Sequence, residues 1–295
     1  MEREERAYGQ GVAEPLIGMR LWLARSPWRL GPAWAACAGT LAASGILSPR
    51  WDWGRAILLL FLVDPAWGSL WAVLAERRRD TSEVASPVTA PVLPYLRPGS
   101  PAARLLGWAE SDLSLAAAWR LGLPSFVVAS LAALALGREA VIAAALAYVL
   151  CLVGWVTRRL QGQPSAWAQS FLMMGAPWGL GYALFATMGW LAWAWAAAWT
   201  VWQRGAIGIA RREAHAWWML GVAQVAVLGI LLFARRPLGA AMVAVACAPT
   251  WWTRSSSASS GEGEAGAGSS ASTPAPVWWW LAFLLSNAAL GGFLG

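Results

Sequence analysis

The chain has 295 residues, of which 58% are hydrophobic and only 13% charged, with a formal net charge of +7. An ordinary soluble domain carries about 25% charged residues, so this composition leaves too little polar surface to cover a water-soluble fold. Nucleic-acid binding is excluded as the source of the positive charge: it needs clustered charge on a solvated face, and here short basic groups alternate with apolar runs. A bilayer-spanning helix needs roughly 20 mainly apolar residues. Runs of this kind fall near 31–48, 54–75, 121–137, 139–157, 167–184, 186–203, 216–234, 236–253 and 277–294. The reading is an all-α, polytopic transmembrane helix bundle of about nine spans, a single membrane domain over 1–295.

Residues 1–30 carry no small-residue cleavage site after an apolar core, so they read as a cytoplasmic segment rather than a cleaved signal peptide. The first span then serves as the targeting signal. With the N-terminus inside, Arg50, Arg55, Arg138, Arg235 and Arg236 fall outside and all other arginines inside. That asymmetry is the positive-inside pattern, and it puts the C-terminus outside. All 22 basic residues are Arg, an association with GC-rich genomes that suggests a bacterial plasma membrane. Cys37, Cys151 and Cys247 lie in apolar runs and read as small buried hydrophobes. No internal repeat is found.

Two inner connections are long. The first, 76–120, includes a helix predicted over Pro101 to Arg120, with Pro at its first position. Leu105, Trp108, Leu115 and Trp119 share one side, and Glu110, Ser111 and Ser114 the other, as in a helix lying in the membrane interface. The second, 254–276, is rich in Ser, Gly, Ala and Pro and reads as a flexible linker. Among the 24 tryptophans, Trp51, Trp53, Trp217, Trp218, Trp251, Trp252, Trp278, Trp279 and Trp280 mark helix ends, as an aromatic belt does. Trp195, Trp199 and Trp202 form an i, i+4, i+7 stripe that reads either as packing or as a stacking surface for a pigment or isoprenoid.

Asp64 lies in the middle of the second run, before Pro65. A carboxylate at that depth costs about 3 kcal/mol and faces the bundle interior, while Pro65 interrupts the helix ladder. Two readings stand: a substrate, ion or proton site, or a structural kink. Glu76, Asp80 and Glu83, spaced among Arg77, Arg78 and Arg79, offer oxygen ligands of the kind that hold Mg²⁺, or else form a solvated charge cluster. Asp112 falls on the apolar side of the interfacial helix. His215, the single histidine, reads as a polar residue at a membrane boundary.

The nine spans, the inside N-terminus and the enlarged loops after spans two and six resemble the UbiA-type intramembrane prenyltransferases. So do Leu96-Arg97-Pro98-Gly99-Ser100 before span three, and Thr157-Arg158-Arg159 followed by Gln169 and Gly175 at span five. The resemblance implies an isoprenoid, quinone or pigment ligand in the bilayer, and Mg²⁺ held by two Asp-rich motifs. The chain departs from those motifs. The first region offers Asp64, or Glu76, Asp80 and Glu83. The second offers Gln203, Arg204, Arg211, Arg212 and Glu213, with one carboxylate, so prenyl transfer is lost or changed. Arg158, Arg159, Arg211 and Arg212 can hold a phosphate directly by paired hydrogen bonds. The alternatives are a structural or assembly subunit bound to other membrane proteins, and a small transporter using Asp64.

Overall fold

The structure, a computed structural model, describes residues 31–44, 52–76, 115–259 and 276–291. Gly31 and Pro32 open α1 (Pro32–Ser44), Pro suiting a first turn that needs no N–H donor there. Asp52 caps α2 (Trp53–Ala75) by accepting from the Arg55 N–H at 3.2 Å. Then come α3 (Leu115–Leu136) and α4 (Arg138–Gln161). Gly137 separates them at φ +111°, a conformation open to glycine and closed to most other residues. Helix α5 runs through Ala166–Ser170, a π turn Phe171–Gly175, and Ala176–Ala183. The remaining helices are α6 (Trp190–Ala210), α7 (Ala216–Phe233), α8 (Pro237–Ser259) and α9 (Pro276–Leu290). The described residues thus form nine helices and no strand.

Each helix coincides with one of the apolar runs, with differences at the ends. Residues 115–120, expected in the interfacial helix, belong to α3. Nothing between Leu115 and Leu121 breaks a helix, and Pro124 is carried inside α3. The first residues assigned to the linker, 254–259, continue α8; Ala and Arg favour helix, and Ser is only mildly unfavourable there. Among the described residues, three helices are long and apolar enough to cross a membrane, namely α2, α4 and α7. By contrast α1, with 13 residues, is about 20 Å long.

Two interior clusters organise the bundle. The first joins α2, α3, α4 and the start of α5 around Trp67, Trp71, Trp155 and Leu172. The second joins α1, α5, α6, α7, α8 and α9 around Trp178, Trp195, Trp199, Trp202 and Phe283. Helix α2 is central and buries 67% of its apolar window, whereas α4 and α7 bury 33%. Their outer faces expose Ile142, Val149, Val225 and Leu232.

Where helices cross most closely, glycine makes the crossing possible. A Cβ on Gly39 would overlap the Trp178 carbonyl, and one on Gly181 would overlap the Ala36 carbonyl, so α1 and α5 touch backbone to backbone. The Thr40 hydroxyl donates to Ala36 O at 3.0 Å and to Gly181 O at 3.4 Å across this seam. Small residues that admit such approach let dispersion forces hold helices together. The tryptophan stripe on α6 faces inward: Trp195, Trp199 and Trp202 are fully buried. Of the expected belt, Trp53, Trp218, Trp252 and Trp278 are exposed. Trp251 and Trp279 instead turn to partners, Gln224 Oε1 at 2.6 Å and Thr250 Oγ1 at 3.1 Å.

Candidate functional site

One end of the bundle gathers the ends of α4 and α6 and the starts of α5 and α7. Thr157, in the last turns of α4, donates to Val153 O at 2.8 Å and accepts from the Ser165 N–H at 2.8 Å. Gly162 ends α4, and Ser165 caps α5 through the Ala168 N–H at 3.3 Å. This tight connection presents Pro164 and Gln169 to the α6–α7 turn. There Arg211 Nη1 donates to Pro164 O at 3.0 Å, and Nη2 donates to Gln169 Oε1 at 3.1 Å. The turn is closed by the Arg211 N–H to Ile207 O at 3.0 Å and the Glu213 N–H to Gly208 O at 2.9 Å. Arg212 adopts φ +58° to make it.

Arg204 is the buried member of this group, 9% exposed. Its Nη2 pairs with Glu213 Oε2, and its guanidinium carbon lies 5.8 Å from the centre of the Trp167 ring. Nη1 faces Gly208, where a Cβ would come within 2.8 Å. Among the described residues, neither Nε nor Nη1 of Arg204 meets a hydrogen-bond acceptor. Burial pulls the Arg211 guanidinium below its ordinary pKa, Glu213 acts in the opposite direction, and Arg204 adds to the lowering. These are the signs expected of two guanidinium groups sharing one carboxylate.

The structure therefore brings Arg211, Glu213 and Gln169 together, with Arg204 as their core. Arg212 stands exposed at the turn. Arg158 and Arg159 end α4, Arg159 buried with its charge 5.5 Å from the Trp155 ring centre, and both have partners within the fold. His215 occupies the N-cap position of α7 and is exposed.

Asp64 is 2% exposed and sits in a π turn, Leu62–Ala66. Pro65 cannot donate, and the ladder widens around it: the Trp67 N–H reaches Leu62 O as well as Asp64 O. Every residue from Leu62 to Trp71 is buried, and Asp64 is engaged by a polar or electrostatic contact. A further π turn, Ala72–Glu76, closes the same helix, and α5 has one where the Ala176 N–H reaches Phe171 O just before Pro177. The strings Pro65-Ala66-Trp67-Gly68 and Ala176-Pro177-Trp178-Gly179 follow the same plan, and α1 packs against both π turns. Sequence reading missed this correspondence, although the Pro and Trp-Gly pairs carry it openly.

Asp80, Glu83 and Asp112 lie outside the described residues, as does the side chain of Glu76. Among the described residues no three His, Cys, Asp or Glu side chains come together as a metal site. Glu213 is committed to the Arg204 guanidinium, so the α6–α7 turn does not fit Mg²⁺.

A further polar node lies inside the second cluster. Asn287 Oδ1 accepts from Trp178 Nε1 at 2.8 Å and Trp195 Nε1 at 3.1 Å, while its Nδ2 donates to Phe283 O at 2.8 Å. A lone Asn in an apolar run signals such a node, and sequence reading passed over it. Trp199 and Trp202 stack at 4.5 Å beside it, and neither indole N–H meets an acceptor among the described residues. No family model, curated protein or solved structure matches the chain.

Proposed function

We propose that this chain is a multi-pass protein of a bacterial plasma membrane, N-terminus inside and C-terminus outside, that holds an isoprenoid, quinone or pigment lipid. The apolar exterior of α4 and α7 and the three long apolar helices support the membrane reading. The observation that carries the ligand reading is on α6. Among the described residues, Trp199 Nε1, Trp202 Nε1, and Nε and Nη1 of Arg204 are buried donors with no acceptor; the indoles of Trp34, Trp67, Trp71, Trp155 and Trp280 share that state, and the guanidinium of Arg204 is what sets α6 apart. Leaving such a donor unsatisfied costs about 1–3 kcal/mol, and each calls for an explanation. A lipid bearing carbonyl, hydroxyl or phosphate oxygens supplies the missing acceptors while its apolar body stays among the helices.

A UbiA-type relationship enters on the same footing. It draws support from the nine-helix order and from Gln169 meeting the α6–α7 turn. Prenyl transfer does not follow from it, because the carboxylate of that turn is already paired. The test is mass spectrometry and absorbance of the solvent extract from detergent-purified protein. A stoichiometric isoprenoid, quinone or chlorin is the expected result; an extract of bulk phospholipid alone sinks the reading.

A second reading, a small transporter, is favoured by the paired π turns in α2 and α5. Interrupted helices in corresponding positions point to a transporter's binding site, and π turns are frequent at functional sites. In that case Asp64 is the ion or proton group. Asp64→Asn then abolishes flux in liposomes while the purified protein keeps its unfolding midpoint; unchanged flux refutes the role.

A further inference from the structure

We infer that Arg204, Arg211 and Glu213 form a metal-independent site for one singly charged oxyanion, a phosphate ester by preference. This rests on reading Arg204 as a ligand donor. Arg204, the buried guanidinium, is paired with Glu213 through Nη2 alone, and Arg211 beside it is partly exposed and has no carboxylate partner among the described residues. A buried donor left without an acceptor is unfavourable unless a ligand supplies one. Arg211 is already spent on Pro164 O and Gln169 Oε1, and Nη2 of Arg204 on Glu213. Nε and Nη1 of Arg204 remain, both buried and both without an acceptor. Among the described residues, no negative charge faces these spare donors.

The ring over the guanidinium belongs to Trp167, which is 49% exposed. Arginine suits the task because it stays charged when buried and matches phosphate oxygens with directed N–H groups. No cation is required, since the protein itself carries the excess positive charge. A dianionic head with bound Mg²⁺ would meet no spare carboxylate here.

The experiment uses the full chain in a neutral detergent with EDTA. Inorganic phosphate is titrated by calorimetry. In parallel, protein reconstituted in vesicles of phosphatidylcholine and phosphatidylglycerol in equal parts is released for native mass spectrometry. Saturable phosphate binding points to a soluble phosphate ester as the source. Selective retention of one phosphatidylglycerol points to a lipid headgroup. Either supports the inference. Arg204→Gln should weaken the binding about tenfold or more, the loss expected of a charge-assisted hydrogen bond. Glu213→Gln supplies the control against misfolding, because it removes the competing negative charge and should tighten binding several-fold. No binding in either arm, binding that appears only when Mg²⁺ replaces the EDTA, or Glu213→Gln weakening it overturns the inference. A stoichiometric isoprenoid, quinone or chlorin with no anion binding overturns this inference and leaves the lipid reading standing. Anion binding with a clean extract does the reverse.

Discussion

Asn287→Ala should destabilise the bundle by about 2–4 kcal/mol. The side chain is fully buried and makes three hydrogen bonds that join α5, α6 and α9. Chemistry fixes its amide orientation: only the oxygen can face two indole N–H donors, and the nitrogen then faces Phe283 O. Truncation leaves Trp178 and Trp195 as orphaned donors, each worth about 1–3 kcal/mol when buried. Hydrogen bonds between membrane helices average nearer 0.6 kcal/mol in double-mutant cycles, which draws the sum toward the lower end. The void left by the amide adds to it. The assay is reversible unfolding in mixed detergent micelles, followed by tryptophan fluorescence. Trp178→Phe in both backgrounds completes a cycle, and it should cost about 1 kcal/mol less when Asn287 is already absent. A loss below about 0.5 kcal/mol for Asn287→Ala, or equal Trp178→Phe costs in both backgrounds, refutes the argument.

Gly181→Ala should cost about 2–3 kcal/mol in the same assay, because its Cβ overlaps the Ala36 carbonyl and pushes α1 off α5; a neutral result would mean the seam is looser than described. Arg235→Gly should raise stability by about 0.5–1 kcal/mol, since Arg235 holds φ +57° at an exposed helix end where glycine is unstrained. For orientation, single cysteines replacing Arg212 and Arg235 are placed in a chain without Cys37, Cys151 and Cys247. A membrane-impermeant maleimide should label position 235 in intact cells and position 212 only after lysis. Labelling of both from one side would contradict the proposed topology.

Much of the fold was legible because apolar run length is a local property. All nine helices coincide with such runs, and their starts at Pro32, Pro237 and Pro276 carry a local signal as well. Errors came where hydropathy and helicity part company. Residues 115–120 and 254–259 are helical without being strongly apolar, so a hydropathy reading ends the elements too early or starts them too late. Partnerships were the least legible. Gln169 and Arg211 are 42 residues apart, and no local pattern links them; resemblance alone had set Gln169 apart. Asn287 and Trp178 are 109 residues apart, yet each half of that pair could have been flagged, the Asn as a polar residue in an apolar run and the Trp by its Pro-Trp-Gly setting. The π turn at Asp64 was foreseeable as an interruption at Pro65. Its twin in α5 was not, because the offset of Pro by one position hides the match.

The unfilled donors on α6 allow a measurement that separates packing from ligand binding within one helix. Trp195 and Trp202 are both fully buried on α6, but Trp195 Nε1 is satisfied by Asn287 and Trp202 Nε1 is not. Trp→Phe removes the donor and part of the ring in each case. In protein stripped of lipid, Trp195→Phe loses a real hydrogen bond and leaves part of Asn287 unmet. Trp202→Phe sheds an unsatisfied donor, and that gain offsets the void. The first should therefore cost about 1–2 kcal/mol more than the second. In protein purified with its lipid the order should narrow, because Trp202 then has an acceptor to lose, and the amount of co-extracted lipid should fall for Trp202→Phe and hold for Trp195→Phe. Equal costs in the stripped state would mean that the Trp202 indole is satisfied within the fold. Undiminished lipid in Trp202→Phe would mean that its donor plays no part in holding a ligand, and the case for α6 would then rest on Trp199 and Arg204.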